Sequence, residues 1–432
     1  MSAEKTFGRT PRAIAAWALE RFDRAGEGIS DFLARIAPTL RLRPEDGRLL
    51  RDLAMGTIKR RITLDTILSA FLDGRALKSL RPAALRPFLE IGLYQILYLE
   101  RVPFFAAVDE TVEAAKARCG PRAAGFVNAV LRKVLSELLP PGTPDGPLAQ
   151  TLPREGRPSA VFNRDVFPAD PEGSPERLAA VHGMPLWLVR RWLARFGVVA
   201  AAGVLRASNR TPETGIRVNL ERTTRETLME AFARNDIKAV EGSEPAAARI
   251  PSSVPFSLLR PFERGEFSIQ DETAQLVAPI VRPRQGDLIL EVGAGPGGKA
   301  THLAELSFDQ AKIFALDLRP ERLALLAQNA ARLGLRGIQP VAADGLHLPF
   351  VRGTYFTQVL LDAPCSNIGV LARRPEARHR ISDASIRRAA VRQKSLLTSC
   401  ARLVRRGGAL IYSTCSIEPE ENEEIIRAFC AK

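Results

Sequence analysis

From about residue 268 the sequence alternates short apolar segments with amphipathic ones, and this alternation constrains the fold more than any other feature of the chain. Short apolar runs are typical of strands that are buried on both faces, and the segments between them have helical periodicity. Strands that are joined through helices pair in parallel, because a parallel pair needs a long crossover connection. We therefore predict a doubly wound, Rossmann-like α/β domain over 266–432. Its predicted strands are 288–292, 313–316, 338–341, 358–361 and 409–412, and its clearest helices are 299–306 and 321–333.

The first third of the chain has a different periodicity. Apolar residues of 9–136 recur at helical spacing, no segment alternates convincingly like a strand, and Gly and Pro residues separate the helical segments. We therefore predict an all-α bundle of six or seven helices over 1–139. The predicted helices include 13–22, 32–36, 49–58, 64–71, 85–99 and 106–117.

Between these two regions the composition changes twice. Residues 140–175 are rich in Pro, Gly and Ser and show little periodicity, which predicts an extended linker. Within 176–265, a strand-like segment at 215–220 precedes an amphipathic helix at 225–234 and a second strand-like segment at 237–240. These segments predict a small α+β unit of the ferredoxin-like or RNA-recognition type.

A glycine-rich loop follows the first predicted strand, where residues 291–299 read EVGAGPGGK. Glycines let the backbone approach a ligand closely, and the start of the next helix offers free N–H groups. A single loop of this kind is also typical of a tight strand–helix turn, and its G-x-G-x-G-G spacing departs from the pattern of dinucleotide sites. Asp317, Asp344 and Asp362 end the next three strands, where a carboxylate can accept ribose hydroxyls or face an adenine.

The loop and the three acids together predict a nucleoside site. No clamp for a dinucleotide phosphate is evident, so S-adenosylmethionine is the more economical ligand. The predicted cofactor-binding residues are Gly293, Ala294, Gly295, Pro296, Gly297, Gly298, Lys299, Asp317, Arg322, Asp344 and Asp362.

Two cysteines follow the last two predicted strands. Cys365 stands in Asp-Ala-Pro-Cys-Ser and Cys415 in Ser-Thr-Cys-Ser. Ligands of open α/β sheets bind at the carboxyl ends of the strands, so both thiols would lie beside the cofactor. A cysteine at such a position can have a lowered pKa and act as a nucleophile, although buried packing is the commoner role of a single cysteine.

The charge of the chain favours a polyanionic partner. Lys and Arg number 62 against 48 acids, for a net charge of +14, although a codon bias toward Arg could supply part of this excess. Residues 373–406 hold eleven Arg and Lys against two acids. Such a run is usually a solvated helix face, but beside the cysteine loops it can follow a phosphate backbone.

The five cysteines, at 119, 365, 400, 415 and 430, form neither a Cys-x-x-Cys pair nor a zinc pattern with His. We therefore expect a reducing, cytoplasmic location and no metal. The N-terminus has no apolar signal core, and the longest apolar run, near 198–205, is too short to span a bilayer. We expect no membrane association.

Several of these segments resemble a known family. DAPCSNIGVLARRPEARHR at 362–380 and YSTCSIEPEENE at 412–423 are similar to motifs of the Sun-type RNA (cytosine-5)-methyltransferases, and GPGGK at 295–299 and FSIQDETAQL at 267–276 match the same family. LEIGLYQILY and GFVNAVLR, within the helical region, resemble a NusB-type RNA-binding domain. This combination is typical of family members that act on 16S ribosomal RNA.

The resemblance implies a role for each catalytic candidate. It assigns to Cys415 the attack on C6 of a cytosine, which makes C5 able to accept a methyl group from S-adenosylmethionine. It gives Cys365 a role in releasing the product, while Asp362 binds the base near N3 and Lys299 touches the substrate or orders the site. The implied partner is 16S ribosomal RNA or a small-subunit assembly intermediate, with the target base unpaired or flipped.

The sequence also departs from the family pattern. Gly293-Ala-Gly295 replaces the usual Cys-Ala-Ala, Glu291 stands where Asp is usual, and His379 where Trp is common. The family continues for two strands beyond the point where this sequence ends, so we expect a sheet of five strands that lacks its last ones. Alternative functions are methylation of transfer RNA or another RNA, a catalytically weak RNA-binding role in ribosome assembly or antitermination, and a nicotinamide dehydrogenase, which the loop spacing disfavours.

Overall fold

The computed structural model describes residues 10–25, 27–40, 42–254, 259–351, 353 and 355–431. The chain divides into two compact units. The first unit is Met1–Arg210 with Leu371–Arg380, and the second is Thr211–Val370 with Ile381–Lys432.

The first unit contains the predicted helical bundle. Among the described residues, its helices are α1 (Pro11–Ala25), α2 (Ile29–Ile36), α3 (Pro44–Phe71), α4 (Leu85–Tyr98), α5 (Phe104–Cys119) and α6 (Pro121–Glu137). Helix α3 joins two segments that we predicted as separate helices. Charged residues interrupt the apolar pattern between them, but Arg61 is buried and forms ion pairs with Asp23 and Glu90, so the helix continues. Gly56 lies where a Cβ atom would overlap the Tyr94 ring, which permits close packing of α3 on α4.

The predicted linker is wrong as a description of 140–175. This segment contains the antiparallel hairpin of β1 (Thr151–Arg154) and β2 (Arg157–Val161). Leu152, Phe162 and Phe167 pack into the core of the bundle. The Pro- and Gly-rich composition indicates turns, but the apolar side chains between the turns have enough area to hold the segment on the bundle.

The first unit also extends further along the chain than expected. It includes α7 (Pro175–His182) and α8 (Leu186–Ala207), which we had placed in the middle segment. Helix α8 is bent at Gly197, whose φ is 73°. The Thr63 hydroxyl of α3 donates to the Ala180 carbonyl of α7 over 2.7 Å, so these helices are fixed to the bundle.

The second unit begins with a four-stranded antiparallel sheet. Its strands are β3 (Thr214–Val218), β4 (Val240–Glu241), β5 (Ala247–Ile250) and β6 (Phe267–Ile269), in the order β4-β5-β3-β6, with α9 (Arg225–Ala233) packed on them. The strand predicted at 237–240 is therefore reduced to a two-residue strand. Strand β6 lies beyond residue 265, so the sheet crosses the boundary that we predicted. The described part of this unit also contains the short helix α10 (Arg260–Glu263) before β6, and α11 (Glu272–Gln275) and α12 (Val277–Val281) after it.

The predicted parallel sheet is confirmed. Its strands are β7 (Leu288–Val292), β8 (Lys312–Asp317), β9 (Ile338–Ala342), β10 (Phe356–Asp362) and β11 (Val404–Ser413). Helices α13 (Gly298–Leu306), α14 (Pro320–Leu333), α15 (Asp383–Ala401) and α16 (Glu423–Cys430) cover its two faces through separate apolar clusters.

The strand order β11-β10-β7-β8-β9 creates a switch point in the topology. Strands β8 and β9 extend the sheet on one side of β7, and β10 and β11 extend it on the other. The loops that leave β7 and β10 therefore diverge and open a crevice at the carboxyl edge of the sheet, where ligands of this fold bind. No helix in the described part of the chain is both long and apolar enough to cross a membrane.

Candidate active site

The glycine-rich loop connects β7 to α13 at the switch point. Gly293 and Gly297 both have a φ of 88°, and Gly295 has a φ of 56°. A Cβ atom on Gly293 would lie 2.3 Å from the Asp362 carbonyl oxygen, so only glycine lets β7 and β10 approach here. A Cβ atom on Gly295 would meet nothing within 4 Å, so this part of the loop faces open space.

Of the predicted acidic residues at the ends of β8 and β9, Asp317 is hydrogen-bonded to this loop, whereas Asp344 is bonded within its own turn. The Asp317 carboxylate, at the end of β8, accepts hydrogen bonds from the Gly295 and Arg319 N–H groups, each over 2.9 Å. The Arg322 guanidinium lies 3.9 Å from the same carboxylate. Asp344 follows β9 and accepts from the Leu346 N–H over 3.0 Å. The structure thus brings the loop, Asp317 and Arg322 together.

Asp362, at the end of β10, links the loop helix to β11. One of its oxygens lies 2.6 Å from Lys299 Nζ, and the other accepts from the Ser413 hydroxyl over 2.9 Å. The carboxylate therefore has a fixed orientation. Ser413 is not among the predicted site residues, although it begins the Ser-Thr-Cys-Ser motif.

Glu291, in β7, interacts electrostatically with both Lys299 and Asp362. Its side chain is 1% exposed, and burial raises its pKa to about 8; the negative charges of Asp362 and Asp317 act in the same direction, while the Lys299 ammonium opposes them. The carboxyl group is therefore mostly protonated at neutral pH. It was not among our predicted site residues; an acidic residue inside an otherwise apolar strand is the signal that could have identified it.

The two cysteine loops place their thiols together. Cys365 Sγ and Cys415 Sγ lie 2.7 Å apart, and Asn367 Oδ1 is 3.5 Å from Cys415 Sγ. The Gly369 N–H donates to the Cys415 carbonyl over 2.9 Å, which joins the loop after β10 to the loop after β11.

The two thiols differ in acidity. The pKa of Cys415 is lowered because the Cys365 thiol donates to its sulfur, and the Lys299 ammonium acts in the same direction, while burial and the Asp362 charge oppose the shift. The pKa of Cys365 is raised by the same hydrogen bond and by burial. Cys415 is therefore favoured as the thiolate, and it is also the more exposed of the two.

The basic run of 373–406 is not one continuous surface. Arg378 and His379 belong to the first unit, where Arg378 is fully buried and donates to the Lys59, Gly183 and Ser208 carbonyls. His379 Nε2 lies 2.8 Å from the Ile58 carbonyl. The exposed basic side chains of α15 in the second unit are those of Arg387, Arg388, Arg392 and Lys394.

Comparisons with known proteins agree with this geometry. Residues 278–432 match the family described as 16S rRNA methyltransferase RsmB/F, residues 9–136 match the NusB family, and residues 184–257 match the ferredoxin-like domain of RsmF/B-like methyltransferases.

Similar proteins cover almost the whole chain. A probable ribosomal RNA small subunit methyltransferase B of Bacillus subtilis is 32% identical over 97% of this chain and 87% of its own length. The ribosomal RNA small subunit methyltransferase B of Sodalis glossinidius is 33% identical over 97% of this chain and 89% of its own length. Among solved structures, that of PH0851 has a TM-score of 0.74 at 24% identity, covering 100% of this chain and 90% of that one, which shows a shared fold. The chain therefore belongs to the ribosomal RNA small subunit methyltransferase B family.

Proposed function

We propose that this protein transfers a methyl group from S-adenosylmethionine to C5 of a cytosine in 16S ribosomal RNA, through a covalent bond between Cys415 and C6 of the base. The observation that carries the proposal is the pair of thiols that follow the adjacent strands β10 and β11, where the Cys365 thiol donates to Cys415, lowering the pKa of Cys415 and raising that of Cys365. The names of the similar proteins support ribosomal RNA of the small subunit as the substrate.

The loop at the switch point fits the proposed cofactor. Residues 293–298 would face it with backbone groups, because Gly295 borders open space. Asp317 uses two of the four positions at which a carboxylate accepts hydrogen bonds, which leaves two for ribose hydroxyls. We assign Asp344 to the adenine, and Arg322, Asp362 and Lys299 complete the site. When bound, S-adenosylmethionine supplies an electrophilic methyl group.

The residues of the chain then have distinct tasks. The Cys415 thiolate bonds to C6 of the cytosine, and this addition moves electron density to C5, which by itself is a weak nucleophile. Asp362, oriented by Lys299 and Ser413, binds the base near N3 and relays a proton from the Lys299 ammonium to N3, which neutralises the negative charge that the addition moves onto the ring. After methyl transfer, water takes the C5 proton and the electron pair of that C–H bond restores the C5–C6 double bond. Cys415 leaves C6 as a thiolate with the assistance of Cys365, and N3 returns its proton to the pair of Asp362 and Lys299.

The RNA would be held by electrostatic attraction as well as by the target base. The exposed basic face of α15 follows the loop that carries Cys365, and the net charge of +14 favours a polyanion. The bundle of the first unit, which matches the NusB family, provides a second surface for RNA.

Methylation assays with labelled S-adenosylmethionine test the proposal. We expect labelling of deproteinised or subunit-bound 16S RNA and none of transfer RNA. Cys415→Ala abolishes labelling, whereas Cys365→Ala gives an RNA–protein complex that survives denaturing electrophoresis. Cys430→Ala, which changes an exposed cysteine of α16, serves as the matched control. Labelling of transfer RNA alone would show that transfer RNA, not 16S RNA, is the substrate. A complex formed by Cys415→Ala would show that Cys365 attacks the base and Cys415 assists release. RNA binding without any labelling would favour the alternative function, a catalytically weak RNA-binding role in ribosome assembly.

A further inference from the structure

A buried carboxylate joins the two cysteine loops. Glu421 is fully buried in the turn that precedes α16. Its Oε1 accepts from the Ser366 N–H over 2.8 Å, and its Oε2 accepts from the hydroxyls of Ser366 and Ser416. These two serines directly follow Cys365 and Cys415 in the sequence.

Hydrogen-bond donors surround the Glu421 carboxylate and fill its acceptor positions. Gln393 Nε2 of α15 donates the fourth hydrogen bond, to Oε1 over 3.1 Å, and the same amide group donates to the Pro364 carbonyl over 3.0 Å. A carboxylate offers about four acceptor positions, and all four are occupied by donors. A glutamine of the same shape would present an N–H₂ group to at least one of these donors, and so cannot reproduce the set.

We propose that Glu421 is a positioning residue that holds Cys365 and Cys415 in register with each other. The catalytic part of this inference rests on the proposed function, because two thiols that act one after the other on the same base must both reach that base. Glu421 touches neither thiol in its hydrogen bonds and acts through the serines beside them. The backbone hydrogen bond from Gly369 to Cys415 does not involve Glu421, so we expect the two loops to stay attached and the variant to fold.

The first experiment measures the alignment of the thiols without methyl transfer. Diamide takes up two electrons and two protons from a pair of adjacent thiols and leaves a disulfide. The rate at which the Cys365–Cys415 disulfide forms therefore measures how well the two loops align their thiols. We expect Glu421→Gln to slow this rate, and Glu424→Gln, a change of an exposed glutamate on α16, to leave it at the wild-type value. Mass spectrometry of the digested protein identifies the disulfide.

The second experiment measures catalysis. A misplacement of about 1 Å can cost about 10²-fold in rate, so we expect kcat of Glu421→Gln to fall by roughly 10- to 100-fold. KM for S-adenosylmethionine remains close to wild type, which a general loss of structure would not allow, while the melting temperature falls because buried donors lose their acceptor. Replacing both Ser366 and Ser416 with Ala should give a similar loss, and little more when combined with Glu421→Gln, because the three residues act as one unit.

The two experiments separate this inference from the proposed function. If wild-type protein does not methylate RNA, the proposed function fails, while the disulfide rate still decides whether Glu421 aligns the thiols. If Glu421→Gln matches Glu424→Gln in both the disulfide rate and kcat, Glu421 is not a positioning residue, whatever the reaction.

Discussion

The substitution Glu291→Gln should change how the stability of the second unit depends on pH. The folded protein raises the pKa of Glu291 from 4.5 to about 8, chiefly by burial. A carboxyl group with a raised pKa stabilises the folded state fully only below its unfolded pKa. That stability is then lost as the pH rises through the folded value, because the unfolded chain releases the proton more readily.

The magnitude follows from the difference between the two pKa values. At about 1.4 kcal/mol for each pH unit, the interval from 4.5 to about 8 amounts to roughly 5 kcal/mol. Between about pH 5 and about pH 9, linkage makes about 4 kcal/mol of this loss observable. Glutamine keeps the shape of the side chain and has no proton to lose, so Glu291→Gln should be stabilised relative to wild type by about this amount on going from the lower pH to the higher.

Hydrogen exchange of the β7 amides measures this free energy locally, once protection factors have removed the intrinsic effect of pH on exchange. The quantity of interest is the difference between variant and wild type at each pH, since the other titrating groups then cancel. Glu424→Gln provides the control, because that glutamate is exposed. A difference that stays constant between the two pH values would refute the reasoning: Glu291 would then not change its charge in this interval.

Three further outcomes are expected. Cys365→Ala removes the thiol that lowers the pKa of Cys415, so the pH profile for alkylation of Cys415 by iodoacetamide should shift to higher pH; an unchanged profile would contradict the donor role. Replacing Arg387 and Arg388 with Ala should reduce the slope of log K for RNA against log salt by about 1.4, if each contacts one phosphate of a single strand, and an unchanged slope places the RNA elsewhere. Gly293→Ala combines a positive φ with a contact of 2.3 Å to the Asp362 carbonyl; it should cost a few kcal/mol, and a melting temperature equal to wild type would show that the loop relaxes.

The parallel sheet could be predicted closely because its signals are local. All five predicted strands are present, and they were identified as short apolar runs separated by helical segments. The positions of Asp362, Cys365 and Cys415 follow from the same pattern, because the carboxyl ends of parallel strands meet at one edge. The resemblance to the methyltransferase family implied the catalytic roles of these residues, whereas the strand pattern alone predicted their positions.

Other features depended on partners that are distant in sequence. Glu421 stands in an acidic run that is typical of a solvated surface, and only the folded chain brings Ser366 and Gln393 to it. The hairpin of β1 and β2 was missed because its turns dominate the composition, while its apolar residues find their contacts in the bundle. Arg378 likewise belongs to a basic run that predicts exposure, yet carbonyl groups of the first unit surround it.

The membership of residues 371–380 in the first unit has a consequence for dividing the protein. These ten residues follow the Cys365 loop, yet both of their flanks belong to the second unit. A cut after residue 210 would therefore separate Arg378 from the carbonyl groups to which it donates. In the isolated C-terminal piece, the guanidinium of Arg378, which is buried in the intact protein, would be exposed. Exchanging the N-terminal region with that of a relative therefore requires a second graft of ten residues inside the catalytic region. The first unit is therefore formed by two separate stretches of the chain and cannot be removed with a single cut.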